Sequence, residues 1–424
     1  MIGFVATPRN HRWSKTMRIA LFTETFVPKI DGIVTTLTET VRQLKSLGHE
    51  VLVFAPDGGV ADFEGTRIAG MKGHSFALYP ELRLSLPRAS MRAQIREFEP
   101  DLLHVADPAL LGIAALYYGG GTSGGALHLP LVVSYHTDLP AYLHYYKLGF
   151  LEPYIWRIMR VRHNRATLNL CTSVAMMEQL QQHGIGRVAL WPGGVDTTRF
   201  HPDRGSEAMR ARLTGGHPES PLLVYVGRLS AEKDIERLKP ILEGLPGARL
   251  ALIGDGPNRK ALEEHFAGLP VYMAGFLRGE ELAAAYASSD VFVMPSRTET
   301  LGLVVLEAMS SGLAVVGARA GGVPEMIVDG VTGTLFDTES EAIEAIRSLL
   351  QCPEKRHSAG MAARTHAAEH SWKAATVQLV EHYKAACIAQ NVVPGSGPVA
   401  KGLRNSARKL VRRTTMGAIR RLLP

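Results

Sequence analysis

Short apolar runs recur along the chain, separated by longer stretches whose apolar positions follow a helical period. The runs "RIALF", "VLVFA", "DLLHV", "LVVSY", "LNLCT" and "VALW" lie in the first part, and "LLVYVG", "RLALIG", "VYMAG", "DVFVMP" and "LAVVGA" in the second. Each has the length and β-branched content of a buried strand. Strands spaced by helices in this way predict parallel sheets with right-handed crossovers. The polar segment "HPDRGSEAMRARLTGGHPESP", residues 201–221, is rich in Gly and Pro and separates the two sets. The expected fold class is therefore α/β, with two facing, Rossmann-like doubly wound domains over 17–200 and 201–370. In such sheets ligands sit outside the carboxyl ends of the strands, so each strand-end loop is a place for chemistry.

Length and composition agree with this. The chain has 424 residues, room for two cores, and its 46% hydrophobic content with 42 glycines suits an α/β enzyme better than a fibrous or disordered protein. No apolar run is long enough to span a bilayer. The opening "MIGFVATPRNHRWSKT", residues 1–16, lacks the apolar core and cleavage site of a signal peptide, and Met17 is a candidate start. The expected location is cytoplasmic. Cys171, Cys352 and Cys387 are too few and too dispersed for a disulfide framework or a zinc site, and read as small buried residues.

Charge is unevenly placed. Residues 391–424 carry Lys401, Arg404, Arg408, Lys409, Arg412, Arg413, Arg420 and Arg421 and no acid, while the whole chain is +7, which leaves the rest at −1. A nearly neutral body with one basic tail is not the profile of a nucleic-acid-binding domain. On a helical wheel Leu403, Ala407, Leu410 and Val411 share one side of the tail, and basic residues fill most of the remainder. An anionic membrane surface is the partner this predicts, placing the protein peripherally on the inner face of the cell membrane. Arg92, Arg96, Tyr142, Tyr145, Tyr146 and Trp156 are candidates for a second contact with it.

The stretch "SRTETLGLVVLEAMSSG", residues 296–312, holds the most informative chemistry. It predicts a loop after the strand "DVFVMP", then a helix closed by Gly312, with Glu299 in the loop and Glu307 about one turn into the helix. The helix start at Leu301, Gly302 and Leu303 offers backbone N–H groups and the positive end of a dipole to an anion. A diphosphate there, with a hydroxyl-bearing sugar on each side for the two carboxylates, uses all three features. In "YVGRLSAEKD", Arg228 and Lys233 can hold a diphosphate without a metal. "LIGDGP" adds a glycine turn at Gly254 and Gly256 suited to a nucleotide. "TETFVPKIDGIVTT" places Gly32 at another helix start, and "SYHTD" delivers His136 to a strand end.

The combination of "VGRLSAEKD", "GDGP" and "ETLGLVVLEAMSSG" resembles the retaining nucleotide-sugar glycosyltransferases of family 4, from about Arg18 to about Tyr383. The resemblance implies the GT-B fold with an interdomain cleft, and a helix over 371–390 that crosses back to the first domain. "RIALFTETFVPKIDGIVTTL", "YPELRLSLPR", "SYHTDLPAYLHYYKLGF" and "LNLCTSVAMMEQL" narrow it to the sulfolipid synthases, which transfer sulfoquinovose from its UDP donor to diacylglycerol. It implies that Arg228 and Lys233 bind the donor diphosphate, Glu307 the ribose and Glu299 the transferred sugar. Gly32 would lie beside the phosphates and His136 beside the sugar. Two positions depart from that family: Asp138 stands where it carries a second His, and Gly193 where it carries Lys or Arg. A lipid glycosyltransferase using GDP-mannose or UDP-glucose is therefore the alternative.

The expected mechanism is attack by the acceptor hydroxyl on the face from which the diphosphate leaves, with a phosphate oxygen taking the proton. Arg228, Lys233 and the helix start stabilise the growing charge. No D-x-D-like pair ends a strand, so no cofactor or metal is expected. A sugar-nucleotide epimerase, or a donor-binding protein without turnover, would share the donor loops.

Overall fold

The computed structural model describes residues 16–390, apart from 30, 77–78, 86–88, 120–126 and 128. The basic tail over 391–424, and all but the last residue of the extension 1–16, lie outside the described residues.

The first domain contains β1 (Arg18–Thr23), β2 (Glu50–Pro56), β3 (Asp62–Phe63), β4 (Thr66–Met71), β5 (Gly73–Phe76), β6 (Tyr79–Ser85), β7 (Leu102–Ala106), β8 (Leu131–Tyr135), β9 (Leu168–Cys171) and β10 (Val188–Leu190). Its main sheet runs β10-β9-β8-β7-β1-β2-β4-β3, while β5 and β6 form a separate antiparallel ribbon. All pairs in the main sheet are parallel except β3 with β4. The second domain contains β11 (Leu222–Val226), β12 (Arg249–Ile253), β13 (Val271–Gly275), β14 (Val291–Met294), β15 (Ala314–Ala318) and β16 (Thr334–Phe336), all parallel, in the order β13-β12-β11-β14-β15-β16.

Every apolar run read from the sequence is a strand, because parallel strands covered on both faces need continuous apolar side chains. Strands β3 to β6 and β16 lack that signature. β3 and β16 are edge strands of two and three residues, β4 lies next to the edge and exposes Arg67 and Gly70, and β5 and β6 make up the ribbon. The strand order reverses between β1 and β7 and between β11 and β14. Those two switch points are where crevices open beyond the strand ends.

The final helix, Trp372–Ala389, follows the second domain in sequence but seats in the first. Its Leu379, Val380, Tyr383, Ala386 and Cys387 share one core with Met17, Ile19, Leu37, Val41, Leu102 and Val132. All three cysteines are free thiols, with Cys171 and Cys387 buried. Among the described residues no helix is long and apolar enough to cross a membrane.

Candidate active site

Glu299 lies in the loop after β14, and Gly302 begins the next helix, Leu303–Ser310. Gly302 has φ +82°, a left-handed conformation that costs an L side chain about 1 kcal/mol or more. Glu307 is in the second turn. Lys233 ends a short 3-10 turn, Ala231–Lys233, beyond β11. Its Nζ donates to Glu299 Oε1 at 2.5 Å, and both side chains are largely buried. Burial pulls the Lys233 pKa down, but the Glu299 carboxylate, with Tyr142 and Tyr225, overrides it, and the net shift is upward. The lysine is a firmly charged cation. Tyr142 belongs to the first domain, and burial pushes its phenol up to about 12.

Glu307 points to another part of the same helix's surroundings. Its Oε2 accepts from Tyr286 Oη at 3.0 Å. Burial raises its pKa to about 7, against the pull of the Tyr286 hydrogen bond and of Arg199. Arg228 follows β11, and its pKa is lowered by burial, opposed by Glu232 and by Asp31 of the first domain. Asp31 caps the helix Gly32–Ser46, accepting from Val34 N at 2.8 Å. A Cβ on Gly32 would stand 4.0 Å from Leu303 Cδ1, so the two helix starts meet across the cleft. Each helix start offers backbone N–H groups, and Arg228 is near enough to feel Asp31 at the first of them, a combination suited to an anion.

Gly254 and Gly256 have a packing role as well. A Cβ on Gly254 would collide with the Gly227 carbonyl, and one on Gly256 with the Leu229 backbone. Leu229 N donates to Asp255 O, and Asn258 N to Leu229 O, which holds this loop against the one carrying Arg228.

His136, just beyond β8, is tied to both domains through its backbone. Its N–H donates to Asp107 Oδ1 at 2.8 Å, and its carbonyl accepts from Thr300 Oγ1 at 2.8 Å. Thr172 Oγ1 donates to Thr300 O at 2.8 Å. Glu325 of the second domain accepts from Val174 N and Ala175 N, completing the start of the helix Val174–Gln182 in the first. The structure thus brings Lys233, Glu299 and His136 to one interdomain seam, Gly32, Arg228 and Leu303 to its neighbour, and leaves Glu307 with Tyr286 beneath. Among the described residues no group of three or more His, Cys, Asp or Glu is placed to hold a metal ion.

Both departures from the sulfolipid pattern have structural counterparts. Asp138 caps the helix Leu139–Tyr145, accepting from Ala141 N, Tyr135 Oη and Gln179 Nε2. A Cβ on Gly193 would collide with the side chain of Leu301 and press on that of Leu303. The space of a cationic side chain is occupied by the leucines of the second domain.

The model of "Glycosyltransferase Family 4" matches residues 30–199, and that of "Glycosyl transferases group 1" matches 213–366. The chain is 42% identical over 388 residues to "Sulfoquinovosyl transferase SQD2" of Arabidopsis thaliana, spanning 88% of this chain and 74% of that protein. The chain belongs to glycosyltransferase family 4. This glycosyltransferase is also 35% identical over 376 residues to a "GDP-mannose-dependent alpha-mannosyltransferase" of Mycolicibacterium smegmatis, covering 87% of this chain and 97% of that one. Its fold matches that of a sucrose-phosphate synthase from Thermosynechococcus elongatus with TM-score 0.71, at 20% identity, over 88% of this chain and 100% of that one. The two facing α/β domains are those of a GT-B enzyme.

Sequence reasoning missed Asp107, Tyr142, Tyr286 and Thr300. Thr300 lies inside a motif that was singled out, and Asp107 ends a strand, so both carried a signal. Tyr142, a candidate for a membrane contact together with Tyr145, Tyr146 and Trp156, is engaged within the protein instead, as they are. Tyr142 faces Lys233 and Glu299, Tyr145 and Tyr146 donate to Asp234 and Glu232, and Trp156 is buried and stacked on His183.

Proposed function

We propose that this protein is a retaining glycosyltransferase moving a hexose from a nucleotide-sugar donor to a hydroxyl of a diacylglycerol-type lipid, with UDP-sulfoquinovose as the favoured donor. The observation that carries the reading is the buried Lys233–Glu299 pair at the domain seam, beside the facing helix starts at Gly32 and Leu303. Arg228 and Lys233 take the diphosphate, Glu307 the ribose, Glu299 the transferred sugar, and Gly254 and Gly256 bring backbone close to the nucleotide. His136 lies beside the sugar. The acceptor oxygen bonds to the anomeric carbon as its bond to the diphosphate oxygen breaks, and the acceptor proton passes to that departing oxygen. Charge gathering on the diphosphate meets two cations and two helix dipoles, and no metal enters the step.

The resemblance of the first domain to sulfolipid synthases, and the similarity to a sulfoquinovosyl transferase, favour the sulfonated sugar. A neutral hexose, with GDP-mannose as its donor, is the second reading. It is favoured by Gly193 and Asp138, which leave two potentially cationic positions without a cation.

An anionic bilayer is the surface on which such an acceptor would be met. The helix Glu152–His163 has Trp156 and His163 buried on its inner side. Tyr154, Ile158 and Val161 occupy the outer face at 64%, 42% and 61% exposure, close to Phe150 at 70%. Arg157, Arg160 and Arg165 are exposed beside them. An apolar stripe at the outermost positions, rimmed by arginines, fits a headgroup interface rather than water.

The test is incubation of the purified full-length enzyme with UDP-sulfoquinovose, UDP-glucose or GDP-mannose and diacylglycerol vesicles. A glycolipid from one donor is expected. Donor turnover that is independent of lipid overturns the reading in favour of an epimerase or a hydrolase.

A further inference from the structure

Four polar side chains, closed off from water, form one continuous line of hydrogen bonds from the cleft to the final helix. Tyr383 Oη lies 2.7 Å from His104 Nδ1, His104 Nε2 lies 2.9 Å from Ser134 Oγ, and Ser134 Oγ lies 2.8 Å from His136 Nε2. Tyr383, His104 and Ser134 are wholly buried, and His136 is 8% exposed. Trp191 meets both imidazoles edge to face, with ring centroids 5.7 Å from His104 and 5.6 Å from His136. Burial works against a charge on either ring. It lowers His104, which also feels His136, to about 3, and it lowers His136 against the pull of Asp107 and Asp31.

A neutral imidazole donates from one nitrogen and accepts at the other, and if both rings donated to Ser134 its O–H would have no acceptor among the described residues, so the line runs in one of two senses. In one, His136 Nε2–H donates to Ser134, Ser134 to His104 Nε2, and His104 Nδ1–H to Tyr383. That leaves the Tyr383 O–H pointing into the apolar core of Leu379, Val380 and Ala386, with no acceptor among the described residues. A buried donor without a partner is strongly disfavoured. In the other sense Tyr383 donates to His104 Nδ1, His104 Nε2–H to Ser134, and Ser134 to His136 Nε2, so every donor is used. His136 then carries its proton on Nδ1. That nitrogen bonds to no group among the described residues and is not sealed from solvent.

We propose that Tyr383, acting through His104 and Ser134, holds His136 as its Nδ1–H tautomer and so presents a fixed hydrogen-bond donor to an oxygen of the transferred sugar. This rests on the reading above that His136 lies beside the sugar. Tyr383, His104 and Ser134 are positioning residues, and their effect on the reaction passes through His136 alone.

The tautomer is read directly from the ring nitrogen shifts of full-length protein labelled with 15N-histidine, with His136 assigned by its loss in His136→Gln. The wild type is expected to show Nδ1 protonated and Nε2 bare. Ser134→Ala is expected to give a mixture of tautomers and to lower kcat/KM for the donor by on the order of tenfold, the worth of one well-placed hydrogen bond. Ser134→Thr, which keeps the hydroxyl, is expected to restore both. A purely structural Ser134 would change the melting temperature and leave the tautomer as it was. An Nε2-protonated His136 in the wild type overturns the relay and leaves the reading of the site standing. A shifted tautomer in Ser134→Ala with unchanged kcat/KM overturns the role and, with it, the placement of His136 beside the sugar.

Discussion

Lys233 and Glu299 are each other's counterion, 2.5 Å apart and both largely buried. On the proposed function one serves the diphosphate and the other the sugar, so donor binding must insert between two groups already bound together. Lys233→Ala strands Glu299 as a buried carboxylate, a loss typically of about 3–5 kcal/mol when a buried pair is broken. It is expected to lower stability and, where the protein still folds, kcat by on the order of a hundredfold. Arg228→Ala is expected to lower kcat comparably with less effect on stability. Near-normal turnover in both variants would remove the cations from the mechanism.

Glu307 titrates near 7, against an ordinary value of 4.5, because it is buried. Between those values the folded protein holds a proton that the unfolded chain has released, so stability from this group is complete below about 4.5 and is lost as pH rises through about 7. Glu307→Gln should flatten that part of the pH–stability curve, measured by denaturant unfolding of both proteins. Ribose hydroxyls need the carboxylate as acceptor, so wild-type affinity for a nucleoside diphosphate is expected to fall on acidification through the same range. Affinity by calorimetry that is level from pH 8 to 6 would take Glu307 off the ribose.

Gly193 has room for no side chain while Leu301 stands where it does. Gly193→Ala is expected to cost about 1–3 kcal/mol, the usual penalty of overpacking. Leu301→Ala in the same chain should recover most of that loss. A double-mutant cycle with no coupling would mean that the leucine yields freely and does not exclude a cation from this position.

Replacing Tyr154 and Ile158 by Ser should weaken sedimentation with anionic vesicles at low salt, while turnover of donor with a detergent-dispersed short-chain acceptor stays unchanged. A form ending at Gln390 separates the share of the basic tail. If the double variant sediments like wild type, the exposed stripe serves another contact, and a dimer seen by light scattering would identify a second copy of the chain as its occupant.

Much of this architecture could be read from the chain because parallel strands and their exit loops are encoded locally. The positions of Glu299 before a helix and Glu307 within it followed from one stretch of sequence. What could not be read was which groups pair across long separations. The partner of His104 is Tyr383, 279 residues away, and nothing local announces it. Lys233 and Glu299 were assigned separate duties, and only the fold reveals them as a pair. The aromatic segment around Tyr142 was misread for a related reason. Amphipathic composition says that one face is apolar, but the packing partner decides which face turns inward, and here Trp156 went inside while Tyr154 stayed out.

The seating of helix Trp372–Ala389 in the first domain sets an order of events during synthesis. The ribosome delivers the strands of the first domain before any of the second, yet the core around Ile19 and Leu102 lacks Leu379, Val380 and Tyr383 until all the strands of the second domain have emerged. The domain translated first is thus the one completed last. A nascent chain halted after β16 would have a finished second sheet beside a first sheet with an uncovered apolar face, the species that chaperones hold and proteases cut.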